Sequence, residues 1–267
     1  MCRLLGYLGS PVQLEQLLYQ PNHSLIVQSY QPREMTAGLL NADGFGIGWY
    51  HSQKTTEPFT YKNVLPIWND VNLLSLSRYV ESPCILANVR SATPGQAIDL
   101  SNCQPFQHGQ LLAIHNGYIE NFHHTLYRPI RDQLVDEVYQ TLRGSTDSEH
   151  IIACFANYYL TMPALSLDQA LAKTLYTIAD LAAHYETGLS ANVIVSDGQQ
   201  LVASRFACRG DSSTLPAPSL YWLQDAPQFP KAVLVASEPL FEGNWQILPE
   251  HSIIHIDADR RLHILAL

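Results

Sequence analysis

The chain has 267 residues, 46% of them hydrophobic, enough to bury a sizeable core, and a single domain spanning 1–267 is expected. Fifteen Lys and Arg against 24 Asp and Glu leave a net charge of -9, which argues against nucleic acid or an anionic membrane surface as a partner. No apolar run reaches the length of a membrane span and no basic segment precedes an apolar one at the N-terminus, so a cytoplasmic location is expected.

Residues 2–8 are a short apolar segment, predicted as a strand, with Cys2 directly behind the initiator methionine. In "SPVQLEQLL", Ser10 as N-cap, Pro11 at the first helical position and Gln13 closing a capping box predict a helix. "FGIGWY" (45–50), "CILANVRSA" (84–92) and "QLLAIHNGYI" (110–119) are predicted strands, being short, β-branched or aromatic, and bounded by Gly, Pro or Asn. Gly44, Gly46 and Gly48 do not fit the dinucleotide fingerprint; they are expected to let their strand pass close to the N-terminus, with Asp43 buttressing the turn. Helical spacing follows in "DQLVDEVYQTL" (132–142), "SEHIIACFANYYL" (148–160) and "LDQALAKTLYTIADLAAHY" (167–185). Strands return in "SANVIVSDGQQLVASRFA", where Asp197-Gly198 marks a hairpin, and continue in "KAVLVASEPL" and "HSIIHIDADRRLHILAL". The polar stretch "GDSSTLPAPS" (210–219) is expected to be a flexible insert. Strands, then helices, then strands again, with hairpins and few crossovers, predict an α+β layered sandwich rather than a doubly wound parallel sheet.

The cysteines Cys2, Cys84, Cys103, Cys154 and Cys208 are scattered and odd in number, unlike a disulfide framework or a zinc knuckle. Cys84 and Cys154 sit in apolar runs and are expected in the core. Cys2 is different: once Met1 is removed, its free α-amine, which titrates near neutrality, becomes a general base beside its own thiol. Arg90 ends a strand in "NVRSATPG", where a guanidinium can hold a carboxylate bidentately or close a salt bridge. Asn116-Gly117 in "IHNGYIEN" fits either an oxyanion hole or a plain turn. Asp147 in "GSTDSEH" fits a helix N-cap or an acceptor for a substrate ammonium. His115 is expected to be packed and hydrogen-bonded, and the histidines form no recognisable metal set, so neither metal nor cofactor is expected.

Taken together, Cys2, "RSATPG", "HNG" and "STDSE" resemble, in order and approximate spacing, the class II glutamine amidotransferase domain of the N-terminal nucleophile (Ntn) hydrolases. The resemblance implies a four-layer αββα sandwich of two antiparallel sheets between helix layers. It implies a γ-glutamyl amidohydrolase in which Cys2 attacks the side-chain carbonyl of a small-molecule γ-glutamyl substrate. Asn116 and Gly117 would hold the oxyanion, Arg90 the α-carboxylate and Asp147 the α-amino group, with Ser91 and Thr93 beside them in the substrate site. "PNHSLIVQSY", "NADGFGIGWY", "NCQPFQHG" and "ASEPLF...NWQILP" further resemble the stand-alone branch that contains the γ-glutamyl-hercynylcysteine S-oxide hydrolases of ergothioneine biosynthesis. Two departures from the glutaminase pattern matter, since Ser91-Ala92-Thr93-Pro94 replaces Trp-Ala-Thr-His and lacks both the larger aromatic and the His, giving a smaller-walled mouth suited to a bulky group beyond the amide. No ammonia-using domain is expected to follow the amidase core. Aromatic faces recognising such a group are sought among Trp49, Tyr50, Tyr30 and Tyr118. Glutathione, γ-glutamyl peptides, glutamine used within a complex, and a non-catalytic binding role remain the alternatives.

Overall fold

The computed structural model describes residues 1–35, 38–51, 55–93, 95–208 and 217–267. The chain opens with β1 (Arg3–Gln13), α1 (Leu14–Leu18) and α2 (Leu25–Tyr30), followed by β2 (Phe45–His51), β3 (Thr55–Asn63), α3 (Leu73–Tyr79) and β4 (Glu81–Val89). Next come β5 (Phe106–His108), β6 (Leu111–Ile119), α4 (Tyr127–Arg131), α5 (Asp136–Tyr139), α6 (Asp147–Thr161) and α7 (Leu167–His184). The chain closes with β7 (Leu189–Ser196), β8 (Leu201–Arg205), β9 (Ala207–Cys208), β10 (Tyr221–Ala226), β11 (Phe229–Ala236), β12 (Gln246–Ile247), β13 (Ser252–Ile256) and β14 (Leu262–Ala266).

Two antiparallel sheets result. One runs β12-β10-β11-β1-β4-β2-β3, the other β14-β13-β8-β7-β6-β5 with β9 also paired to β7. Alternation along each strand sends one row of side chains between the sheets and the other outward. Leu4, Leu8, Leu86, Leu112, Ile114, Ile194 and Val235 form the inter-sheet core. Leu5, Ile47 and Ile85 pack outward against Leu14, Leu17, Leu25 and Leu73 of α1 to α3, while Ala113, Val193 and Val195 pack against Ile151, Phe155 and Leu171 of α6 and α7. The layers are therefore helix, sheet, sheet, helix, the αββα sandwich implied by the family resemblance.

Three local expectations are corrected. The helix at Pro11 does not form there: β1 bulges after Leu8 and resumes pairing at Val12↔Ser82 and Gln13↔Glu81, so α1 starts at Leu14 and Ser10 caps nothing. The stretch 132–142 is helical only over α5, because Asn157 Oδ1 takes the Val135 N–H at 2.8 Å and pins the chain to α6 before a longer helix can propagate. Its apolar residues still serve their purpose, as Leu134, Val138 and Leu142 pack on Ala153 and Ala156. The glycines of β2 face the other sheet rather than the N-terminus: a Cβ on Gly46 would lie 2.0 Å from Gln104 O, and one on Gly48 would lie 2.6 Å from Leu112 Cδ1. Most of the expected insert at 210–219 lies outside the described residues.

The approach of Gly46 to the Gln104 carbonyl yields a stability test. Gly46→Ala forces backbone apart in the centre of the sandwich and should cost about 1–3 kcal/mol, read as a lower urea midpoint at unchanged m-value.

Candidate active site

Cys2 precedes a strand that is central in its sheet, hydrogen-bonded to β11 on one side and β4 on the other. Because Leu4 faces the inter-sheet core, Cys2, two residues earlier, falls on the same face, while Arg3 points to the helix side. Cys2 Sγ is half-buried and lies 3.9 Å from the Ser91 carbonyl oxygen. Burial pushes the Met1 α-amine below its ordinary value; Arg3 acts in the same direction, and Cys2 and Asp43 oppose it. Gly38, at φ +84°, brings its loop against this terminus, with its Cβ position 3.4 Å from Ser91 Oγ and 3.9 Å from the Met1 nitrogen.

Arg90 lies one residue beyond the end of β4 and is only 3% exposed. Its guanidinium donates to Asp43 O, Gln96 Oε1 and Ala97 O, each at 3.3 Å. All three acceptors are neutral, and among the described residues no carboxylate pairs with it. The salt bridge that the sequence left open is therefore not made. A buried guanidinium without a counter-charge is costly unless a carboxylate arrives. Asp43 acts as a buttress, accepting the Ala92 N–H at 2.8 Å on Oδ2 and so shaping the turn after Arg90. Ser91 in that turn is half-buried and Thr93 exposed; Pro94 lies outside the described residues.

Asn116 and Gly117 sit near the end of β6, in register with Asn192 and Ala191 of β7. Asn116 shares the inter-sheet face with Ile114 and is fully buried, yet neither atom of its carboxamide has a hydrogen-bond partner. Gly117 must be glycine, since a Cβ there would stand 2.0 Å from Ser190 O. The pair belongs to a strand, which sets aside the reading as a plain turn. His115 points to the opposite face, where Nδ1 meets Ser148 Oγ at 2.8 Å and Nε2 meets Ser190 O at 3.3 Å. Burial lowers its pKa, in keeping with a packed, neutral imidazole.

Asp147 is the first residue of α6 rather than its cap. The cap is Thr146, whose hydroxyl accepts the Glu149 N–H at 3.2 Å. Asp147 Oδ2 accepts the Ile119 N–H at 2.8 Å and Oδ1 the Ser148 N–H at 2.8 Å, which ties the buried carboxylate to the end of the Asn116 strand. Oδ1 also accepts from the Ser148 hydroxyl at 3.5 Å, whereas Oδ2 keeps a further lone pair for a cation.

Other residues hold this arrangement together through contacts distant in the chain, which no local motif signals. Asn102 donates to Ala97 O, which also accepts from Arg90, and takes the Ser145 N–H, so it bridges the Arg90 and Asp147 loops. Gln104 grips both backbone groups of His115, donating to its oxygen at 3.0 Å and accepting from its nitrogen at 2.5 Å. Beneath the terminus, Arg3 Nε lies 3.2 Å from Glu238 Oε1, an ion-pair contact in which both side chains are buried. Glu238 also takes the Arg33 and Glu34 N–H groups at 2.9 and 3.1 Å and meets His23 Nε2 at 2.7 Å. Of the four aromatic candidates, Tyr50 is buried and bonded to Gln110 O and Ser196 O, and Trp49 packs on the outer face of β2, stacked with Phe59. Tyr30 is nearly half exposed, edge-on to Trp68, and Tyr118 is half-buried. Among the described residues, no group of His, Cys, Asp and Glu could hold a metal ion, and no helix is long and apolar enough to cross a membrane.

Comparison with known proteins gives concordant matches. The family model described as "Glutamine amidotransferases class-II" matches residues 1–213. A protein of Saccharomyces cerevisiae described as "Probable glutamine amidotransferase DUG3" is 32% identical over 96% of this chain and 82% of its own length. The "Gamma-glutamyl-hercynylcysteine sulfoxide hydrolase" of Mycolicibacterium smegmatis is 30% identical over 96% of both chains. Among solved structures, a class-II glutamine aminotransferase domain protein of Silicibacter pomeroyi superposes at a TM-score of 0.70, with 25% identity over 99% of both chains.

The buried Arg3–Glu238 pair generates a stability prediction. Burial works to raise the Glu238 pKa, but the hydrogen bonds from His23, Arg33 and Glu34, with the Arg3 charge, outweigh it and hold the carboxyl below its ordinary value of 4.5. A lowered folded pKa gives stability that is present above the unfolded value and is lost as pH falls through the folded one. Glu238→Gln leaves Arg3 buried without a counter-charge and should cost about 3–5 kcal/mol at neutral pH. Urea midpoints should show that loss, together with a shallower decline below about pH 4.5 than in the wild type.

Proposed function

The chain belongs to the class II glutamine amidotransferases, and from that premise we propose that it releases glutamate from a γ-glutamyl compound through a thioester on Cys2. It is an enzyme acting on C–N amide bonds, as its family is. The observation that carries the finer reading is the buried Arg90 guanidinium, held by three neutral acceptors, with Asp147 a buried carboxylate in a loop that Asn102 ties to the Arg90 side. A cation without a counter-charge and a carboxylate with a lone pair to spare on Oδ2 suit the α-carboxylate and α-ammonium of a glutamyl group.

In this reading Met1 is removed and the Cys2 α-amine takes the thiol proton as Sγ attacks the γ-carbonyl carbon. The oxyanion is received by Asn116 Nδ2–H and the Gly117 N–H. The protonated amine then gives its proton to the departing nitrogen, the C–N bond breaks and a thioester remains. Water, deprotonated by the same amine, attacks the thioester; Sγ leaves as the thiol and the γ-carboxylate of glutamate is released. For the substrate we propose γ-glutamyl-hercynylcysteine S-oxide, supported by the end-to-end match to the M. smegmatis hydrolase and by the small-walled Ser91 turn. Tyr30 and Tyr118 are the aromatic candidates for the trimethylammonium group of such a substrate. A second reading, release of ammonia from glutamine as part of a complex, is supported by the similar identity to the yeast amidotransferase.

Glutamate release under matched conditions separates these readings. γ-Glutamyl-hercynylcysteine S-oxide should exceed glutathione and glutamine in kcat/KM by about tenfold or more, equivalent to about 1.4 kcal/mol. Turnover of glutamine as fast or faster would favour the second reading. Cys2→Ala should abolish turnover at unchanged thermal midpoint, and a variant that stays active would refute the thioester. Arg90→Lys should act chiefly on KM, because an ammonium cannot reproduce the planar fork.

A further inference from the structure

Asn88 lies in β4, fully buried, and both atoms of its carboxamide lack a hydrogen-bond partner. An amide taken out of water and left unpaired costs about 1–3 kcal/mol, so its presence in a core calls for a physical reason. Its place in the sheet supplies one. Asn88 shares the inter-sheet face with Leu86, two residues from Arg90, and pairs in register with Leu4 of β1 and Gly46 of β2. Gly46 in turn meets the backbone of Gln104, the residue that grips His115 immediately before Asn116. The level of Asn88 on one sheet therefore faces the level of Asn116 on the other.

An asparagine works as an oxyanion donor only if its nitrogen, not its oxygen, points to the reacting carbonyl. The two ends of the carboxamide have nearly the same shape, so the orientation is fixed by what holds the oxygen. Asn116 Oδ1 needs a donor. Asn192, its neighbour in register, already donates from Nδ2 to Pro218 O and Ser219 O and has only its own oxygen left. Ser190 pairs with Tyr118, two residues further along the strand. Asn88 has both Nδ2 protons uncommitted.

We propose that Asn88 is a positioning residue of the oxyanion site: with substrate bound, its Nδ2–H donates to Asn116 Oδ1 and keeps Asn116 Nδ2 turned toward the oxyanion. The two amides are not hydrogen-bonded in the free structure, as is common for catalytic hydrogen bonds that tighten in the complex. The inference rests on the role of Asn116 given under the proposed function.

A double-mutant cycle on the full-length enzyme tests it, using whichever of γ-glutamyl-hercynylcysteine S-oxide, glutathione and glutamine the wild type turns over fastest. Asn116→Ala should lower kcat by about 10²- to 10³-fold through loss of one oxyanion donor. Asn88→Leu should lower kcat by about ten- to a hundredfold, with KM within about threefold and a thermal midpoint no lower than that of the wild type, because leucine removes an unpaired amide at similar volume. Asn88→Ala repeats the kcat loss should leucine overpack the site. In the Asn116→Ala background, Asn88→Leu should change kcat by less than about twofold. Full kcat in Asn88→Leu, a multiplicative loss in the double variant, or coupling of Asn116 to Ser190→Ala instead would overturn the inference. If Asn116→Ala itself keeps full kcat, the oxyanion assignment fails first; if only the Asn88 variants do, that assignment stands and the inference falls.

Discussion

The molecule is organised by the need to place the beginning of the chain inside a sandwich of two sheets. Here β1 sits between β4 and β11 and is hydrogen-bonded along both sides, so the backbone leading from Cys2 is held on a rigid element. Alternation then leaves no choice: with Leu4 in the inter-sheet core, the Cys2 thiol faces inward and Arg3 faces the helices. The terminus is anchored by the Arg3–Glu238 pair, and the same carboxylate holds the backbone of Arg33 and Glu34 in the loop whose Gly38 lies against the Met1 amine.

Around this point the fold leaves polar groups unsatisfied that an ordinary core would pair or replace. Arg90 is buried with neutral acceptors only, and Asn116 and Asn88 expose no polar atom to solvent and bond to none. Each is a destabilising feature taken alone. In the proposed reading such groups are held in reserve for a zwitterionic substrate. The surrounding loops are tied to one another, with Asn102 joining the Arg90 side to the Asp147 side and Gln104 clamping the backbone beside Asn116. The groups proposed for recognition and for the oxyanion are thereby tied into one hydrogen-bonded framework.

What could be read from the sequence was local. Alternation in 45–50 and 110–119, and the apolar repeats of 148–160 and 167–185, carry their own period and appear as β2, β6, α6 and α7. Arg90, Asn116-Gly117 and Asp147 could be picked out because each stands in a short motif at a strand or helix end. The helix signal at Ser10 loses because Val12 pairs with Ser82, 70 positions further along the chain, and that pairing keeps β1 extended. Glu238 stayed invisible for the same reason: the backbone groups it receives lie 205 and 204 positions earlier. The glycines of β2 announced a close approach but not its partners, which are the Gln104 carbonyl just before β5 for Gly46 and the Leu112 side chain of β6 for Gly48. Asn88 reads as a polar residue in an apolar strand, and only its burial without a hydrogen-bond partner sets it apart.

The central claim is that the α-amine of Cys2 is the catalytic base, and the direct measurement compares two forms of one protein that differ only at the terminus. A chain carrying a removable leader is cleaved to begin at Cys2 in one sample and at Met1 in the other, with intact mass confirming each. Glutamate release from the preferred γ-glutamyl substrate is then followed in both. The form beginning at Cys2 should turn over and the form retaining Met1 should be inactive at equal thermal stability. Equal turnover by the two forms would contradict the mechanism, since an amide nitrogen at Cys2 cannot take up the thiol proton.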